Sequence, residues 1–187
     1  MDQYYEKQTK WVLKVIWPWQ DEKEEKWLEQ QALEGWHLIS VAPFFYQFQK
    51  GNPRLVTYRL DYKVMSDKDF KEYQELFHDS GWELAATLSN WHYYRIEPGN
   101  DQAPEIYNSN RAKAQKYRRL LAGLFPILFI FITIFIPRIT DLVDGKEGVS
   151  VFYRIAYLFA IAIMLFMAYA TIRIVVKISR LESESKE

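Results

Sequence analysis

The chain has 187 residues, no cysteine, and 24 basic against 24 acidic side chains. Without cysteine it has no disulfide framework, thiolate nucleophile or thiolate metal site. The charge is uneven, because residues 1–105 carry 12 basic and 18 acidic side chains, a net charge of −6. This acidity argues against direct nucleic-acid binding, which depends on clustered Lys and Arg.

The first hundred residues predict strands and helices in an order that occurs twice. The first copy is a strand at Trp11–Trp17, a helix from Asp21 to Glu34 ended by Gly35, and strands at Trp36–Val41 and Phe44–Lys50. The second copy is a strand at Leu55–Lys63, a helix at Asp67–Asp79 ended by Gly81, and strands at Trp82–Leu88 and Trp91–Ile96. Gly35-Trp36 and Gly81-Trp82 are 46 residues apart. We therefore predict an α+β fold of duplicated strand-helix-strand-strand units, at about 11–50 and 55–96, that form one sheet with two helices on one face.

Two uncharged apolar runs follow this domain. Leu120–Ile136 has 17 residues and Ile155–Ile172 has 18. At a rise of about 1.5 Å per residue, each run approaches the thickness of the hydrocarbon core of a bilayer. The predicted segments are a cytosolic domain at 1–98, a linker and basic juxtamembrane helix at 99–117, a transmembrane helix at 118–137, an external loop at 138–150, a second transmembrane helix at 151–176 and a charged tail at 177–187.

Basic residues near the two runs predict the orientation. Five of them precede the first run and are predicted to contact lipid headgroups: Arg111, Lys113, Lys116, Arg118 and Arg119. Three more follow the second run, against three in the connecting loop. We therefore expect a two-span protein of the bacterial inner (cell) membrane with both termini cytoplasmic. Neither run contains a charged residue, which favours an anchor over a transporter.

The first hundred residues are rich in aromatic side chains, and all seven tryptophans of the chain occur there. The candidate binding surface is the set Trp17, Trp19, Trp36, Tyr46, Trp82, Trp91 and Tyr93. Helices on one face of a sheet leave the other face open, and exposed aromatic area on such a face marks a pocket or a docking surface. The competing interpretation is that these side chains form the core and cross-strand pairs.

Other polar groups do not make a recognisable reaction centre. His37, His78 and His92 lack the spacing of metal ligands, and the acidic run Asp21–Glu25 is typical of a solvated first turn of a helix. Phosphate-binding glycine loops and nucleophile motifs are absent from the sequence. We therefore predict no cofactor, no metal and no enzymatic activity.

Residues 11 to about 110 resemble the bacterial domain-of-unknown-function 2812 family. The resemblance rests on Trp17-Pro18-Trp19, Glu24-Glu25-Lys26-Trp27-Leu28, Gly35-Trp36-His37-Leu38, Tyr46-Gln47-Phe48, Gly51-Asn52-Pro53 and Tyr58-Arg59-Leu60-Asp61. Members are often encoded beside PadR-type regulators, so the resemblance implies a membrane protein that works with such a regulator or responds to the same signal. It supplies no catalytic residues.

The sequence leaves three functional hypotheses. The leading one is a membrane-anchored, cytosolic, aromatic-rich module that binds a protein or ligand in a regulatory or sensory role. Alternatives are an accessory structural subunit of a membrane complex or exporter, and a membrane-proximal enzyme that uses carboxylates such as Glu83 or Asp61. Expected partners are the lipid bilayer and a protein, and an oligomer is compatible with all three hypotheses.

Overall fold

The computed structural model of the protein describes residues 8–97, 105–143 and 151–185. The chain divides into two compact units, residues 1–108 and residues 109–187. The predicted external loop at 138–150 falls largely outside the described residues.

The first unit begins with one copy of the strand-helix-strand-strand order. Its elements are strand β1 at Thr9–Leu13, helix α1 at Asp21–Leu33, strand β2 at Trp36–Ala42 and strand β3 at Phe45–Lys50. Strand β1 starts and ends earlier than predicted, and a short helical turn at Pro18–Gln20 leads directly into α1. Asp21 is the first residue of α1, and Gln20 occupies the N-cap position.

The second copy follows in the same order. Its elements are strand β4 at Thr57–Tyr62, helix α2 at Asp67–Asp79, strand β5 at Glu83–Leu88 and strand β6 at Trp91–Ile96. Ser66 caps α2 by accepting a hydrogen bond from the backbone N–H of Asp69. The cap removes one unsatisfied donor from the helix start.

Matching irregularities support the duplication. Gly35 and Gly81 both have positive φ, 79° and 83°, at the turn from helix to strand. The register of β2 shifts at Ile39 and that of β5 shifts at Ala85, again 46 residues apart. Bulges are specific features of a strand pair, so two at equivalent positions indicate one unit used twice.

The α+β class is confirmed, but the six strands form two antiparallel sheets of three strands instead of the single sheet predicted. The orders are β1-β3-β2 and β4-β6-β5. Strand β2 lies beside β5, but the two strands do not pair. The backbone N–H and carbonyl of Leu38, which could hydrogen-bond to β5 in a continuous sheet, bond to side chains instead. Its N–H donates to the Tyr58 hydroxyl and its carbonyl accepts from Arg95 Nη1. Since these groups are occupied at the bulged edge, the sheets remain separate.

The two helices do not lie on one face as predicted, because α1 packs against both sheets and α2 packs against the second sheet alone. Helix α1 contributes Leu28 and Ala32 to a core shared by both sheets. Helix α2 packs on the opposite face of the second sheet, where the rings of Phe77 and Tyr94 stack 4.0 Å apart. The second sheet is therefore packed on both faces, whereas the outer face of the first sheet is covered by neither helix.

The second unit consists of two long helices, α3 at Asn110–Val143 and α4 at Val151–Ser183. Helix α3 passes through Pro126 without interruption, so the part of the predicted juxtamembrane segment from Asn110 onward and the first predicted span are one helix. Helix α4 continues beyond its apolar run into the predicted charged tail. Arg118 on α3 forms an ion pair with Glu182 on α4, which places the start of α3 beside the end of α4.

Candidate functional site

The outer face of the first sheet exposes large apolar side chains next to one another. Leu13 pairs directly with Phe45, and the exposed fractions of these residues are 64% and 47%. Trp11, two residues before Leu13 on the same face, is 55% exposed and lies opposite Gln47. Directly opposed residues of an antiparallel pair project from the same face. We call Trp11, Leu13 and Phe45 the open face.

The turn beside the open face is conformationally strained. Phe44 has a φ of 65°, a region that disfavours residues with a β-carbon. Its carbonyl accepts a 2.8 Å hydrogen bond from the N–H of Lys14, and its ring meets Trp17 edge-on at 5.8 Å. These contacts hold an aromatic side chain at a position where glycine would be less strained.

Lys10 of β1 and Lys14, which follows this strand, lie on the side opposite to the open face. Lys10 Nζ is 4.3 Å from the centre of the Trp36 ring and Lys14 Nζ is 5.5 Å from that of Trp27. Both are cation–π contacts on the side of the sheet that faces α1. The open face consequently consists of apolar rings and methyl groups, and the lysine side chains of this segment do not reach it.

A buried carboxylate joins the two repeats inside the domain. Glu24 on α1 accepts hydrogen bonds of 2.8 Å from both the Tyr46 and the Tyr93 hydroxyls. Burial raises the pKa of Glu24 to about 7, the two hydroxyl donors oppose this shift, and nearby Asp21 adds to it. Burial together with the Glu24 charge raises the pKa of Tyr46 and Tyr93 well above the usual value. We call these three residues the carboxylate–tyrosine triad.

Two further carboxylates of α1 satisfy the free edge of β4. Glu25 accepts from the N–H of Leu60 at 2.8 Å, and Glu29 accepts from the N–H of Tyr58 at 3.1 Å. Arg59 lies against the same helix, 3.3 Å from the Glu29 carboxylate. Helix α1 thus replaces a neighbouring strand along this edge, which blocks further strand addition there.

The acidic run Asp21–Glu25 is therefore not the solvated first turn that the sequence predicted. Asp21, Glu24 and Glu25 are all buried. The sequence spacing could have predicted this burial, because residues 21, 24, 25, 28 and 32 lie on one face of a helix. The carboxylates thus extend the buried apolar stripe of α1, and tyrosine hydroxyls and strand N–H groups supply their partners.

Asp61 and Glu83, the carboxylates named for an enzymatic role, are not brought together. Asp61 is fully buried and accepts from the hydroxyls of Tyr73 and Tyr107. Glu83 is exposed and binds Arg95 through two hydrogen bonds, of 2.8 and 2.9 Å. Their partners on β6, His92 and Arg95, are three residues apart and so lie on opposite faces of the sheet.

A cation-rich cleft of about 380 Å³ lies at the seam between the repeats. Its lining includes His37, Gln49, Lys50, Asn52, Arg54 and Arg95, and none of the lining residues is an acid. A smaller cleft of about 170 Å³ lies beside α2 and includes Lys63, Asp67, Phe70 and His92. Neither cleft includes a residue of the open face in its lining.

The seven aromatic residues predicted as a binding surface are distributed over separate contacts. Trp19, Tyr46, Trp82 and Tyr93 are buried, and Trp17, Trp36 and Trp91 are half-buried. Trp17 stacks on Trp19, and Trp91 packs on Tyr62. The set is not one surface, since its members contribute to the core and to cross-strand pairs. Sequence reasoning missed Trp11, Leu13 and Phe45, although alternation along β1 places Trp11 and Leu13 on one face.

The three histidines occupy unrelated positions. His37 and His92 are buried, and each uses Nε2 on a backbone carbonyl, of Asn52 and Lys63 respectively. His78 is exposed at the end of α2. Among the described residues, no group of three or more His, Asp and Glu side chains is placed to hold a metal ion.

The basic residues at the start of α3 are unequally accessible. Arg111 and Arg118 are exposed, Lys113 and Arg119 are half-buried, and Lys116 is buried. Lys116 Nζ lies 5.1 Å from the centre of the Tyr117 ring, and Lys177 Nζ of α4 lies 4.7 Å from the same ring. Lys116 is therefore the least accessible of the five residues predicted to contact lipid headgroups.

Helices α3 and α4 have the length and composition of membrane-spanning helices. Segments of 26 residues, Asn110–Phe135, and 30 residues, Arg154–Ser183, meet this description among the described residues. Their large apolar side chains are exposed, as Phe125 at 68% and Phe159 at 69% illustrate. Ala160, Ala170 and Ile174 of α4 are buried.

Fold and site together define a duplicated α+β domain followed by two helices long and apolar enough to cross a membrane. The chain belongs to the family described as Protein of unknown function (DUF2812), whose model matches residues 20–130. The match covers most of the first repeat, all of the second and the first part of α3. Comparisons with curated proteins and with solved structures return no match.

Proposed function

We propose that this protein is a membrane-anchored binding module with a regulatory or sensory role, and that a partner protein docks on the open face. The observation that carries this proposal is the exposure of Trp11, Leu13 and Phe45 side by side on a sheet face that neither helix of the domain covers. Contiguous apolar patches on a folded domain mark interaction sites.

The chemistry of the open face favours a protein over a lipid surface or a small molecule. Attraction to anionic lipids needs basic residues, and Lys10 of β1 and the adjacent Lys14 project to the other side of the sheet. A small ligand needs a concave site, and the two clefts are lined by other residues. An uncharged centre with an exposed tryptophan matches the core of a protein interface.

In this proposal α3 and α4 are the anchor. Their apolar runs suit a bilayer, and basic residues precede the first run and follow the second, so we infer that both termini are in the cytoplasm of a bacterial cell. The anchor confines the module to two dimensions near the membrane, which raises its effective concentration for membrane-bound partners. We propose no catalytic step and no cofactor.

Site-specific photocrosslinking tests the docking surface. A photoreactive amino acid replaces Leu13 or Phe45 in the full-length protein, expressed in native membranes, and crosslinked products are identified by mass spectrometry. Val64 and Leu76 are matched controls, because they are 67% and 62% exposed and lie outside the open face. We expect one protein to crosslink from Leu13 and Phe45 but not from the controls. Equal products from all four positions, or lipid adducts alone, would contradict the proposal.

The crosslinking result also addresses the identity of the partner. The family resemblance suggests a PadR-type regulator, so recovery of such a regulator from Phe45 would give the module a signalling role. Replacement of α3 and α4 by an unrelated apolar hairpin distinguishes the binding-module hypothesis from the accessory-subunit hypothesis. A module keeps its crosslinks after this exchange, whereas a subunit that assembles through its spans loses them.

A further inference from the structure

We propose that the cation-rich cleft at the seam between the repeats binds a phosphate group, carried by a small molecule or by a lipid headgroup. None of the residues that line this cleft belongs to the open face, so the inference does not rest on the proposed docking of a protein. Three cations line it, Lys50, Arg54 and Arg95, in a domain whose sequence is acidic overall. A phosphate with about two negative charges at neutral pH suits such a cluster better than a single carboxylate.

Two of the three cations, Lys50 and Arg54, keep donors for a ligand, whereas Arg95 donates to Glu83 and to the Leu38 carbonyl. Lys50 Nζ donates to the Glu34 carbonyl at 3.0 Å, which uses one of its three hydrogens. Arg54 pairs with Glu97 through Nη1 alone. A guanidinium has five donors in a planar fork, so one such contact leaves a second edge for an oxyanion.

The acid that pairs with Arg54 is weakly bound. The Glu97 side chain is 58% exposed, so solvent screens this single contact, and a phosphate that enters the cleft competes with it. Two hydrogen bonds to Glu83 hold the Arg95 guanidinium in place. Arg95 itself is more enclosed, with a side chain 17% exposed, and so provides a fixed positive charge at the wall of the cleft.

Close packing holds the loop at the rim in place. The N–H of Gly51 donates to the Gly35 carbonyl at 2.9 Å, and the N–H of Arg54 donates to the Ala32 carbonyl at 3.2 Å. The buried His37 ring lies under the loop, with its Nε2 2.9 Å from the Asn52 carbonyl. A preformed cleft binds without the entropic cost of ordering a loop.

The volume agrees with a small phosphorylated ligand. A space of about 380 Å³ is within the range of small-molecule sites. The amide side chains of Gln49 and Asn52 at its wall can donate to phosphate oxygens or to hydroxyl groups beside them.

The test uses full-length protein in nanodiscs of zwitterionic phosphatidylcholine, with inorganic phosphate as the probe and chloride at equal ionic strength as the reference. Thermal unfolding is followed by tryptophan fluorescence. The double variant K50Q/R54Q removes two cleft cations, and K68Q/K71Q removes two exposed cations of α2 as a matched control. We expect phosphate to raise the Tm of the wild type and of K68Q/K71Q, and to leave that of K50Q/R54Q unchanged.

A second arm identifies the source of the phosphate. In nanodiscs that contain phosphatidic acid and no free phosphate, a rise in Tm that depends on Lys50 and Arg54 assigns the cleft to a lipid headgroup. A response to free phosphate alone assigns it to a soluble ligand. N52D, which adds a negative charge at the rim while leaving Lys50 and Arg54 in place, should weaken either response. A wild type that responds in neither arm, or a K50Q/R54Q variant that responds like the wild type, overturns the proposal.

Discussion

The Tyr93 hydroxyl donates a 2.8 Å hydrogen bond to Glu24, which lies 69 residues earlier in the chain. Tyr46 donates to the same carboxylate oxygen from the first repeat. One buried acid on α1 thus links the first sheet to the second. Since the sheets share no ladder of backbone hydrogen bonds, such side-chain links specify how the repeats sit together.

Stability should depend on pH through Glu24. Its pKa is about 7 in the folded protein against 4.5 for an ordinary glutamate, so the native state holds the proton more tightly than the unfolded chain. The free energy of unfolding should therefore fall as pH rises from about 4.5 to 7, by up to about 3 kcal/mol. The measurement is denaturant unfolding of full-length wild type and E24Q in detergent between pH 5 and 8.

The difference between wild type and E24Q isolates this effect from other titrating groups. Among them is His92, whose pKa is lowered by burial and which has the opposite pH dependence. E22Q is a control, because Glu22 is exposed on the same helix turn. A wild type and E24Q that stay parallel over this pH range would show that Glu24 does not titrate there.

Removing one tyrosine hydroxyl should weaken the link between repeats. Y93F and Y46F each delete one donor to the Glu24 carboxylate, and each should cost about 1–2 kcal/mol. The hydroxyls favour the ionised acid, so either variant should also move the pH midpoint of Glu24 upward. A double-mutant cycle should be non-additive because both hydroxyls share one acceptor. Additive losses with an unchanged midpoint would contradict the shared role.

The two equivalent glycines should differ in their tolerance of alanine. Gly35 and Gly81 both have positive φ, which costs a β-carbon about 1–2 kcal/mol at either site. At Gly35 the added carbon also lies 2.7 Å from the Gly51 backbone oxygen, whereas at Gly81 the nearest atom is Ile96 Cδ1 at 3.3 Å. A side chain can move and a paired backbone cannot, so G35A should destabilise more than G81A. Thermal unfolding of both variants gives the comparison, and equal Tm losses would contradict it.

The orientation of the hairpin can be measured directly because the chain has no cysteine. Single cysteines at Lys68, Ser150 and Ser183 test the domain, the connecting loop and the end of α4. In intact cells, a membrane-impermeant maleimide should label S150C and should reach K68C and S183C only after the membrane is opened. Labelling of K68C in intact cells would reverse the orientation inferred from the basic residues.

Local patterns predicted most of the elements. Gly35 and Gly81 ended the two helices at the expected places, and the 46-residue offset identified both repeats. Predictions were less accurate where neighbours in space decide the outcome. The burial of Glu24 and Glu25 depends on hydroxyl and N–H partners from distant strands, which adjacent residues do not reveal. The aromatic set mixed core and surface positions for the same reason, since residue type alone does not tell which sheet face is covered.

The order of residues alone determined the repeated α+β units, the family and the two apolar helices, because helix ends, strand alternation and long uncharged runs are properties of neighbouring residues. Only the tertiary structure decided that the six strands form two sheets. Arg95 and Tyr58 of one repeat reach the backbone of Leu38 in the other, and α1 occupies the free edge of β4. In the resulting packing, Trp11, Leu13 and Phe45 remain exposed. The cations Lys50, Arg54 and Arg95 line one cleft. Sequence patterns did not predict these outcomes because they depend on residues that lie far apart in the chain.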